Sequence, residues 1–230
     1  MLEVSGIHSF YDKSHILHGV SLEVGDGQTV GFLGRNGVGK STTLKSIIGI
    51  VSPRSGSIRF QGNELVGRKP YEIARLGIGY VPEDRRIFPT LTVRQNLLMG
   101  MKSGSGDWSI DRVYECFPRL KVRDGFRGGA LSGGEQQMLT IGRTLMGNPS
   151  LVLLDEPTEG LAPQVAETVA TVIEEIQRAG VSVLLVEQSI DVVLALAHAV
   201  VIMNKGEIVF RGTPEELRSR PEVIGTYLEV

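Results

Sequence analysis

Short runs of alternating hydrophobic and polar residues fill the first third of the chain, and glycine-rich turns separate these runs. The alternation predicts β-strands at LEVSGI, VSLEV, TVGFL and SIRF, which are residues 2–7, 20–24, 29–33 and 57–60. After TVGFL the period changes, because Leu44, Ile47 and Ile48 fall on one side of a helix. GIGYV, residues 77–81, predicts a further short strand before Pro82.

Between residues 88 and 148 the strand pattern disappears from the sequence and helical spacing replaces it. Helices are predicted at LTVRQNLLMG, SIDRVYECF and GGEQQMLTIGRTLMG, which are residues 91–100, 109–117 and 133–147. The segment KSGSGDW, residues 102–108, has the composition of a loop between the first two helices. A helical lobe is therefore expected in the middle of the chain.

Strand patterns return after residue 149. They lie at LVLLDEP, SVLLV, HAVVIM and EIVF, which are residues 151–157, 182–186, 198–203 and 207–210. The first two are joined by an amphipathic helix, whose apolar face is formed by Val165, Val169, Val172, Ile173 and Ile176. Helices are predicted again at the end of the chain, in EELRSR and EVIGTYLEV, residues 215–220 and 222–230.

Apolar strands that alternate with helices predict an α/β fold, in which a parallel sheet is covered on both faces. The 230 residues fit one domain. Within it, residues 1–87 and 149–230 are expected to form the core and residues 88–148 the inserted helical lobe.

Composition and charge narrow the class of protein. Hydrophobic residues make up 41% and charged residues 22% of the chain, and the net charge is -2, which argues against a broad basic surface for nucleic acid. Cys116 is the only cysteine, so an internal disulfide is excluded and a reducing compartment is expected. No apolar run reaches the roughly 18 to 20 residues that a membrane helix needs, and the first residues lack the apolar stretch of a signal peptide.

The segment GRNGVGKS, Gly34 to Ser41, matches the phosphate-binding pattern G-x-x-x-x-G-K-[ST] between a predicted strand and a predicted helix. A glycine-rich turn can point backbone N–H groups at a polyphosphate, and the helix that follows adds its positive end. Lys40 is expected to reach the outer phosphates, and the Ser41 hydroxyl to coordinate Mg²⁺. The predicted nucleotide-binding residues in this segment are Gly34, Asn36, Gly37, Gly39, Lys40, Ser41 and Thr42.

The segment LVLLDEP places two carboxylates at the end of a buried strand. Asp155 is expected beside the Mg²⁺, where its charge compensates the charge of the metal. Glu156 follows directly and suits a residue that orients or deprotonates the attacking water, a role worth roughly 10² to 10⁴ in rate. An acidic pair after a strand is a weak signal alone, but it gains weight when it follows a phosphate loop.

The segment LSGGEQQ, residues 131–137, begins with a capping box, because Ser132 and Glu135 have the S-x-x-E spacing. Gly133 and Gly134 are poor helix formers, each costing up to about 1 kcal/mol relative to alanine. A plain helix start does not need them. Two glycines are expected where a helix end must carry no side chains, so that a second phosphate group can approach its backbone.

These three motifs, in this order, resemble those of the ATP-binding subunits of ABC transporters over essentially the whole chain. More narrowly, YVPEDRRIFPTLTV, LSGGEQQML and LVEQS resemble the smaller ATPase of branched-chain amino acid importers. The related urea and short-amide importers share much of this pattern, so they remain an alternative. The resemblance implies a P-loop NTPase core with an N-terminal antiparallel β subdomain and an inserted α-helical subdomain.

In this family two ATPase subunits close head to tail around two ATP molecules. The resemblance therefore implies that Ser132, Gly133 and Gly134 contact the nucleotide held by the opposite subunit. It also implies ATP and Mg²⁺ as ligands, and adenine stacking on Tyr11, for which a half-buried strand-edge tyrosine is the alternative. Residues 159–162, EGLA, occupy the interface loop that normally carries an aspartate, so their cross-subunit contact is in doubt.

Two positions depart from the family pattern. Glu83 stands where the family usually has glutamine, so an expected ligand of Mg²⁺ or water brings a negative charge. Gln188 stands where the family usually has a histidine that bonds the γ-phosphate; its amide can donate N–H but cannot carry a proton. Glu187, the preceding residue, is expected to face solvent or the adjoining subunit.

The implied partners are transmembrane permease subunits, a second ABC ATPase and, indirectly, a solute-binding protein outside the membrane. The departures from the family pattern at Glu83 and Gln188 favour a heterodimer with a different ATPase over a homodimer. The implied location is the cytoplasmic face of the inner membrane, without insertion. Arg85 and Arg86 are expected to face the permease, whereas the basic run at Arg119, Lys121, Arg123 and Arg127 is expected to be solvated, with contact to the permease or membrane as the alternative.

Other readings are weaker. A soluble ABC ATPase that acts on ribosomes or DNA usually joins two cassettes or carries long coiled coils, which 230 residues do not contain. A regulatory subunit with weak or lost activity is suggested by Glu83, Gln188 and the altered EGLA loop, but Lys40, Asp155 and Glu156 are intact. A P-loop kinase would not need LSGGEQQ.

Overall fold

The computed structural model describes residues 1–102 and 106–228, and within them the strands form two sheets. The strands are β1 (Leu2–Tyr11), β2 (Ser14–Val24), β3 (Thr29–Leu33), β4 (Ser55–Phe60), β5 (Asn63–Glu64), β6 (Ile78–Val81), β7 (Leu151–Asp155), β8 (Ser182–Val186), β9 (Ala199–Asn204) and β10 (Glu207–Gly212). The helices are α1 (Lys40–Ile47), α2 (Pro70–Arg75), α3 (Val93–Gly100), α4 (Ile110–Cys116), α5 (Pro118–Val122), α6 (Gly133–Leu145), α7 (Pro163–Arg178), α8 (Ile190–Leu196), α9 (Pro214–Arg218) and α10 (Pro221–Tyr227).

The first sheet is antiparallel and has the strand order β2-β1-β4-β5. Its strands β1 and β2 form a long hairpin that turns at Asp12, where φ is 51°. Both strands are longer than the sequence predicts. The pairing register of β1 with β2 shifts between Val4 and Ile7, where the alternation of buried and exposed residues is also broken, and shifts again before His8 and before Phe10. The hydrophobic pattern therefore ends before the strand does.

The second sheet has the order β10-β9-β3-β8-β7-β6 and is parallel from β9 to β6, with β10 antiparallel at its edge. Parallel pairing brings the carboxyl ends of these strands to one edge of the sheet. At that edge Phe32 pairs with Val186, and Val186 pairs with Asp155. The loops that follow β3, β7 and β8 are therefore neighbours in space. The α/β fold expected from the sequence is confirmed.

Hydrophobic clusters cover both faces of the parallel sheet. In β7, Leu151 and Leu153 pack with the first sheet and α1, whereas Val152 and Leu154 pack with α6 and α7. Every residue of β7 is buried, which accounts for its uninterrupted apolar sequence. The sheet is thus held rigidly from both sides, and its carboxyl edge is a fixed platform for side chains.

Helices α3, α4, α5 and α6 lie between β6 and β7, in the segment where the sequence predicts a helical lobe. Cys116 is half-buried and packs against the hydrophobic cluster that contains the apolar side chains of these helices. Burial raises the pKa of its thiol. Of the predicted loop at residues 102–108, residues 103–105 lie outside the described part of the chain.

Three α-helices in the described part of the chain were not predicted. They are α2, α5 and α8, which have five to seven residues each and are too short to repeat a 3.6-residue spacing. The predicted terminal helix over residues 222–230 begins at Pro221, and residues 229–230 lie outside the described part. Among the described residues, no helix combines the length and the hydropathy needed to cross a bilayer.

Candidate functional site

The loop between β3 and α1 has the backbone of a phosphate-binding turn. Gly37 and Gly39 have φ values of 77° and 116°, which favour glycine. A Cβ on Gly39 would lie 2.9 Å from Leu17 Cδ2, and one on Gly34 would lie 2.5 Å from the Met203 carbonyl oxygen. A Cβ on Gly37 would meet nothing within 4 Å. Gly34 and Gly39 thus allow close packing beneath the loop, whereas Gly37 faces open space.

Lys40 is buried in this loop, with 4% of its surface exposed. Its ammonium nitrogen donates to the carbonyl oxygen of Gly34 at 2.7 Å and to that of Arg35 at 3.2 Å. It also lies 3.2 Å from Glu156 Oε1. Three oxygen atoms therefore hold the ammonium group of Lys40 in place beside the phosphate-binding turn.

Asp155 ends β7 and meets two hydroxyl groups. Ser41 Oγ donates to its Oδ1 at 2.9 Å, and Tyr80 Oη donates to its Oδ2 at 3.0 Å. Burial raises the pKa of Asp155, and the two hydroxyl donors only partly oppose this shift. Burial and Asp155 together raise the pKa of Tyr80. Sequence reasoning missed Tyr80, whose only signal is its place near the carboxyl end of β6.

The donor set suits Mg²⁺. This hard cation prefers oxygen ligands, and it binds through one or two protein groups together with substrate phosphates and water. A hydroxyl and a carboxylate 2.9 Å apart, beside a phosphate-binding loop, meet that requirement. Residues 1–102 and 106–228 contain no group of three or more His, Cys, Asp or Glu side chains arranged to hold a metal.

Glu156 follows β7 in a left-handed backbone conformation, with φ of 48°. Its N–H donates to the Val186 carbonyl oxygen at 2.9 Å. Its Oε2 accepts from Gln188 Nε2 at 2.5 Å, and its other oxygen pairs with Lys40. Left-handed residues other than glycine cost of order 1–3 kcal/mol and cluster at functional sites. The backbone strain and the fixed side chain mark Glu156 as a constrained position.

The expectation that Glu187 faces solvent or a neighbouring subunit is wrong. Its surface is 1% exposed. Thr158 donates to Glu187 Oε1 from its backbone nitrogen at 3.0 Å and from its hydroxyl at 2.7 Å, and the Gln188 nitrogen donates to Oε2 at 3.2 Å. Burial raises the pKa of this carboxyl, although these hydrogen bonds lower it. The side chain turns inward because these N–H and hydroxyl groups surround it.

Lys40, Ser41, Glu156 and Gln188 line a cleft of about 430 Å³ at the carboxyl edge of the sheet, whereas Asp155 and Tyr80 line an adjoining cavity that shares Glu83. Most of the predicted nucleotide residues are among the lining residues of the cleft, which are Tyr11, Ile16, Asn36, Gly37, Gly39, Lys40, Ser41, Thr42, Glu83, Glu156, Glu159 and Gln188. Gly34 lies outside this lining set, packed against Met203. Ile16 was not predicted to line the cleft, because its position there depends on the bulged hairpin of β1 and β2.

Glu83 is exposed at the mouth of the cleft. Burial raises its pKa, and the charges of Glu156 and Asp155 raise it further. Tyr11, at the end of β1, is 45% exposed and lines the same cleft. The structure therefore brings both residues to the cleft, while their roles toward metal and adenine stay predictions.

Ser132, Gly133 and Gly134, called here the signature residues, lie at the start of α6, the signature helix, and are not among the residues that line this cleft. Ser132 caps α6, and its Oγ donates to Glu135 Oε2 at 2.9 Å. The predicted reason for both glycines is incomplete. A Cβ on Gly134 would lie 2.8 Å from Val165, so packing against α7 also requires glycine there. A Cβ on Gly133 would meet only the flexible end of Arg85.

In the basic run, Arg119, Lys121 and Arg127 are exposed, so their expected solvation and the alternative contact with the permease or membrane both stay predictions. Arg123 differs, because its Nε lies 2.7 Å from Glu135 Oε1. Burial opposes ionisation of Glu135, but the hydrogen bonds from Ser132 and the charge of Arg123 outweigh it and lower its pKa. Arg123 therefore supports the cap of the signature helix.

Comparison with known proteins agrees with this geometry. Residues 17–159 match the family model described as ABC transporter. The chain is 46% identical to the high-affinity branched-chain amino acid transport ATP-binding protein BraG of Pseudomonas aeruginosa, over 99% of both chains. It is 32% identical to the lipopolysaccharide export system ATP-binding protein LptB of Escherichia coli, over 99% of this chain and 96% of that protein.

Among solved structures, an ATP-binding subunit of an ABC transporter superposes with a TM-score of 0.85 at 28% identity, over 100% of this chain and 96% of that chain. The resemblance inferred from the three motifs is confirmed. The chain belongs to the ABC transporter family, as an ATP-binding and ATP-hydrolysing subunit.

Proposed function

We propose that this ATPase drives uptake of branched-chain amino acids through separate permease subunits at the cytoplasmic face of the inner membrane. The observation that carries the proposal is the 46% identity to BraG over 99% of both chains, well above the 32% identity to LptB. The solute itself has no site on this chain, because the ATPase acts on the permease and not on the cargo.

In the proposed reaction, Lys40 and the backbone of residues 34–39 bind the phosphates of ATP. Ser41 and Asp155 would hold Mg²⁺, and the bound cation would neutralise charge on the transferred phosphoryl group. Glu156 orients the attacking water and accepts its proton. Gln188 donates an N–H of its amide to the γ-phosphate, and Tyr11 stacks on adenine. The distances among Lys40, Glu156 and Gln188 support these roles.

The proposed partner in hydrolysis is a second ABC ATPase whose switch residue is histidine. Ser132, Gly133 and Gly134 would face the nucleotide of that subunit. This pairing is supported by the amide at Gln188, which forms a hydrogen bond but cannot become cationic. Two different subunits would then share one conformational cycle, with unequal nucleotide sites.

The proposed permease contact is a groove of about 490 Å³ between β6, α3 and α6. Its lining includes Arg86, Phe88, Met99, Met101 and Arg143. Met99 and Met101 are 62% and 60% exposed, which is high for such apolar side chains. An apolar groove with basic residues at its sides suits a permease segment that carries both apolar and acidic residues.

Uptake of labelled leucine and labelled urea in cells that lack this chain, with and without complementation, tests the proposal. Loss of leucine uptake alone is expected. Loss of urea uptake alone would assign the chain to the urea and short-amide group and would leave the nucleotide site unchanged. If neither uptake changed, import of these solutes would be rejected.

A further inference from the structure

The buried carboxylate of Glu187 joins the two loops that carry Glu156 and Gln188. One of its oxygens accepts both hydrogen bonds from Thr158, in the loop after β7, at 3.0 Å and 2.7 Å. The other accepts from the backbone nitrogen of Gln188, after β8, at 3.2 Å. One side chain therefore fixes two loops that are far apart in the sequence.

A carboxylate in this position requires its partners. Burying a charged or polar group without hydrogen bonds is costly, whereas hydrogen bonds to an ionised group are about twice as strong as neutral ones. An apolar residue at position 187, directly after β8, would not carry such a cost. The three donors around Glu187 make the link between the loops specific as well as strong.

The linked loops meet again through their side chains, because Gln188 Nε2 donates to Glu156 Oε2 at 2.5 Å. Together with the peptide chain these contacts form a closed ring, from Glu156 to Thr158, to Glu187, to Gln188 and back to Glu156. Glu156 keeps a left-handed backbone within this ring. Such strained residues persist only where surrounding contacts hold them. Val186 holds Glu156 directly through its carbonyl oxygen, and Glu187 acts on Glu156 through Thr158 and Gln188.

We propose that Glu187 is a positioning residue for ATP hydrolysis, which holds Glu156 and Gln188 side by side through Thr158 and the Gln188 backbone. Through Thr158 it also connects them to the residues that follow, 159–162, the loop expected at the interface with the second ATPase. The proposal rests on the proposed roles of Glu156 and Gln188, because Glu187 acts only through them. It has no direct part in holding ATP.

Two variants test the link at its two ends. Glu187→Gln keeps the shape of the side chain but puts an NH₂ group against an N–H donor. Thr158→Val removes only the hydroxyl donor, and Thr158→Ser restores it. Glu167→Gln is the matched control, since this exposed carboxylate lies on the outer side of α7.

We expect Glu187→Gln and Thr158→Val each to lower kcat for ATP by about tenfold, the effect of one well-placed hydrogen bond. KM for ATP should stay within about twofold, because the phosphate loop is unchanged. Thr158→Ser and Glu167→Gln should keep the kcat of the wild type. The double variant Glu187→Gln, Thr158→Val should be no slower than the slower single variant, since both break one link.

Steady-state ATP hydrolysis by the full-length chain in its assembled transporter gives these values. The proposal is overturned if Glu187→Gln or Thr158→Val keeps the wild-type kcat, if the two effects multiply, or if KM rises as much as kcat falls. Thermal melting of each variant shows whether it is folded; if Glu187→Gln does not fold, Thr158→Val and Thr158→Ser carry the test.

A Glu156→Gln variant separates this proposal from the one on which it rests. If Glu156→Gln still hydrolyses ATP rapidly, the role assigned to Glu156 fails, and the positioning role of Glu187 fails with it. If Glu156→Gln is inactive while Glu187→Gln is fully active, only the role of Glu187 is rejected.

Discussion

Lys40 and Glu156 form a buried ion pair, with 3.2 Å between the ammonium nitrogen and Oε1 and with side chains that are 3% and 7% exposed. The pair joins the group expected to bind phosphate to the group expected to activate water. The Lys40 ammonium has three N–H donors, and three oxygens already occupy them. A bond from Lys40 to a phosphate oxygen must therefore replace one of these contacts. If the Glu156 contact is the one replaced, phosphate binding frees this carboxylate for the attacking water.

Glu156→Gln is expected to abolish turnover while ATP binding persists, and to trap the closed dimer. The amide keeps the size of the side chain but cannot accept the proton from water, a loss worth roughly 10² to 10⁴ in rate. Single-turnover hydrolysis and nucleotide retention on size-exclusion chromatography check both parts. Rapid hydrolysis by this variant would remove Glu156 from the mechanism.

Arg123→Gln is expected to lower ATP hydrolysis by about two- to fivefold, a modest effect because the partly exposed Arg123 side chain lets solvent screen the pair. Without Arg123, the Glu135 carboxylate places an uncompensated charge at the helix end expected to face the partner's phosphate. Adding Glu135→Gln should restore much of the activity, because it removes that charge. Lys121→Gln, at an exposed position in the same basic run, is the control.

Glu135 also predicts a pH dependence of stability. Its pKa is lowered in the folded protein, so its ionised form stabilises the fold above the unfolded pKa of about 4.3. This stabilisation is lost as the pH falls from about 4.3 through the lowered folded pKa. The free energy of unfolding of the wild type, relative to Glu135→Gln, should therefore decrease over that window. Urea unfolding of both proteins at several pH values measures the difference, and a constant difference would contradict the prediction.

Glu83→Gln is expected to raise the Mg²⁺ concentration needed for half-maximal ATP hydrolysis. The charges of Glu156 and Asp155 act on Glu83, and this repulsion contributes to the raised pKa of Glu83. A divalent cation relieves this repulsion, so removing one charge weakens the attraction for the metal. Titration of activity with Mg²⁺ at saturating ATP provides the comparison; an unchanged midpoint would show that Glu83 does not reach the metal.

The sequence was sufficient to predict the parts of the site that follow from local chain geometry. Gly37 and Lys40 could be placed because a glycine-rich turn between a strand and a helix has one common use. Asp155 and Glu156 could be placed because the apolar run LVLL predicts a buried strand, and the two acidic residues follow that run directly. These predictions needed no knowledge of distant neighbours.

The missed features depend on which strands lie side by side. Glu187 looks like a solvent-facing residue until β7 is placed next to β8, which brings Thr158 to its carboxylate. Tyr80 reaches Asp155 only because β6 is paired with β7 in parallel register. The Arg123 contact with Glu135 requires the turn after α5 to fold back on the start of α6. Hydrophobic periodicity contains none of this information.

The parallel pairing of β3 with β8 also has a kinetic consequence. Thr29 lies against Val183, and Val30 lies against Ala199, so the strand before the phosphate loop closes only with strands near the other end of the chain. Such long-range contacts raise the contact order and slow folding, because a large loop must close before they form. The groups expected to bind and hydrolyse ATP therefore come together only after β8 and β9, residues 182–204, have been synthesised. Until then, the strand before the phosphate loop lacks both of its neighbours in the sheet.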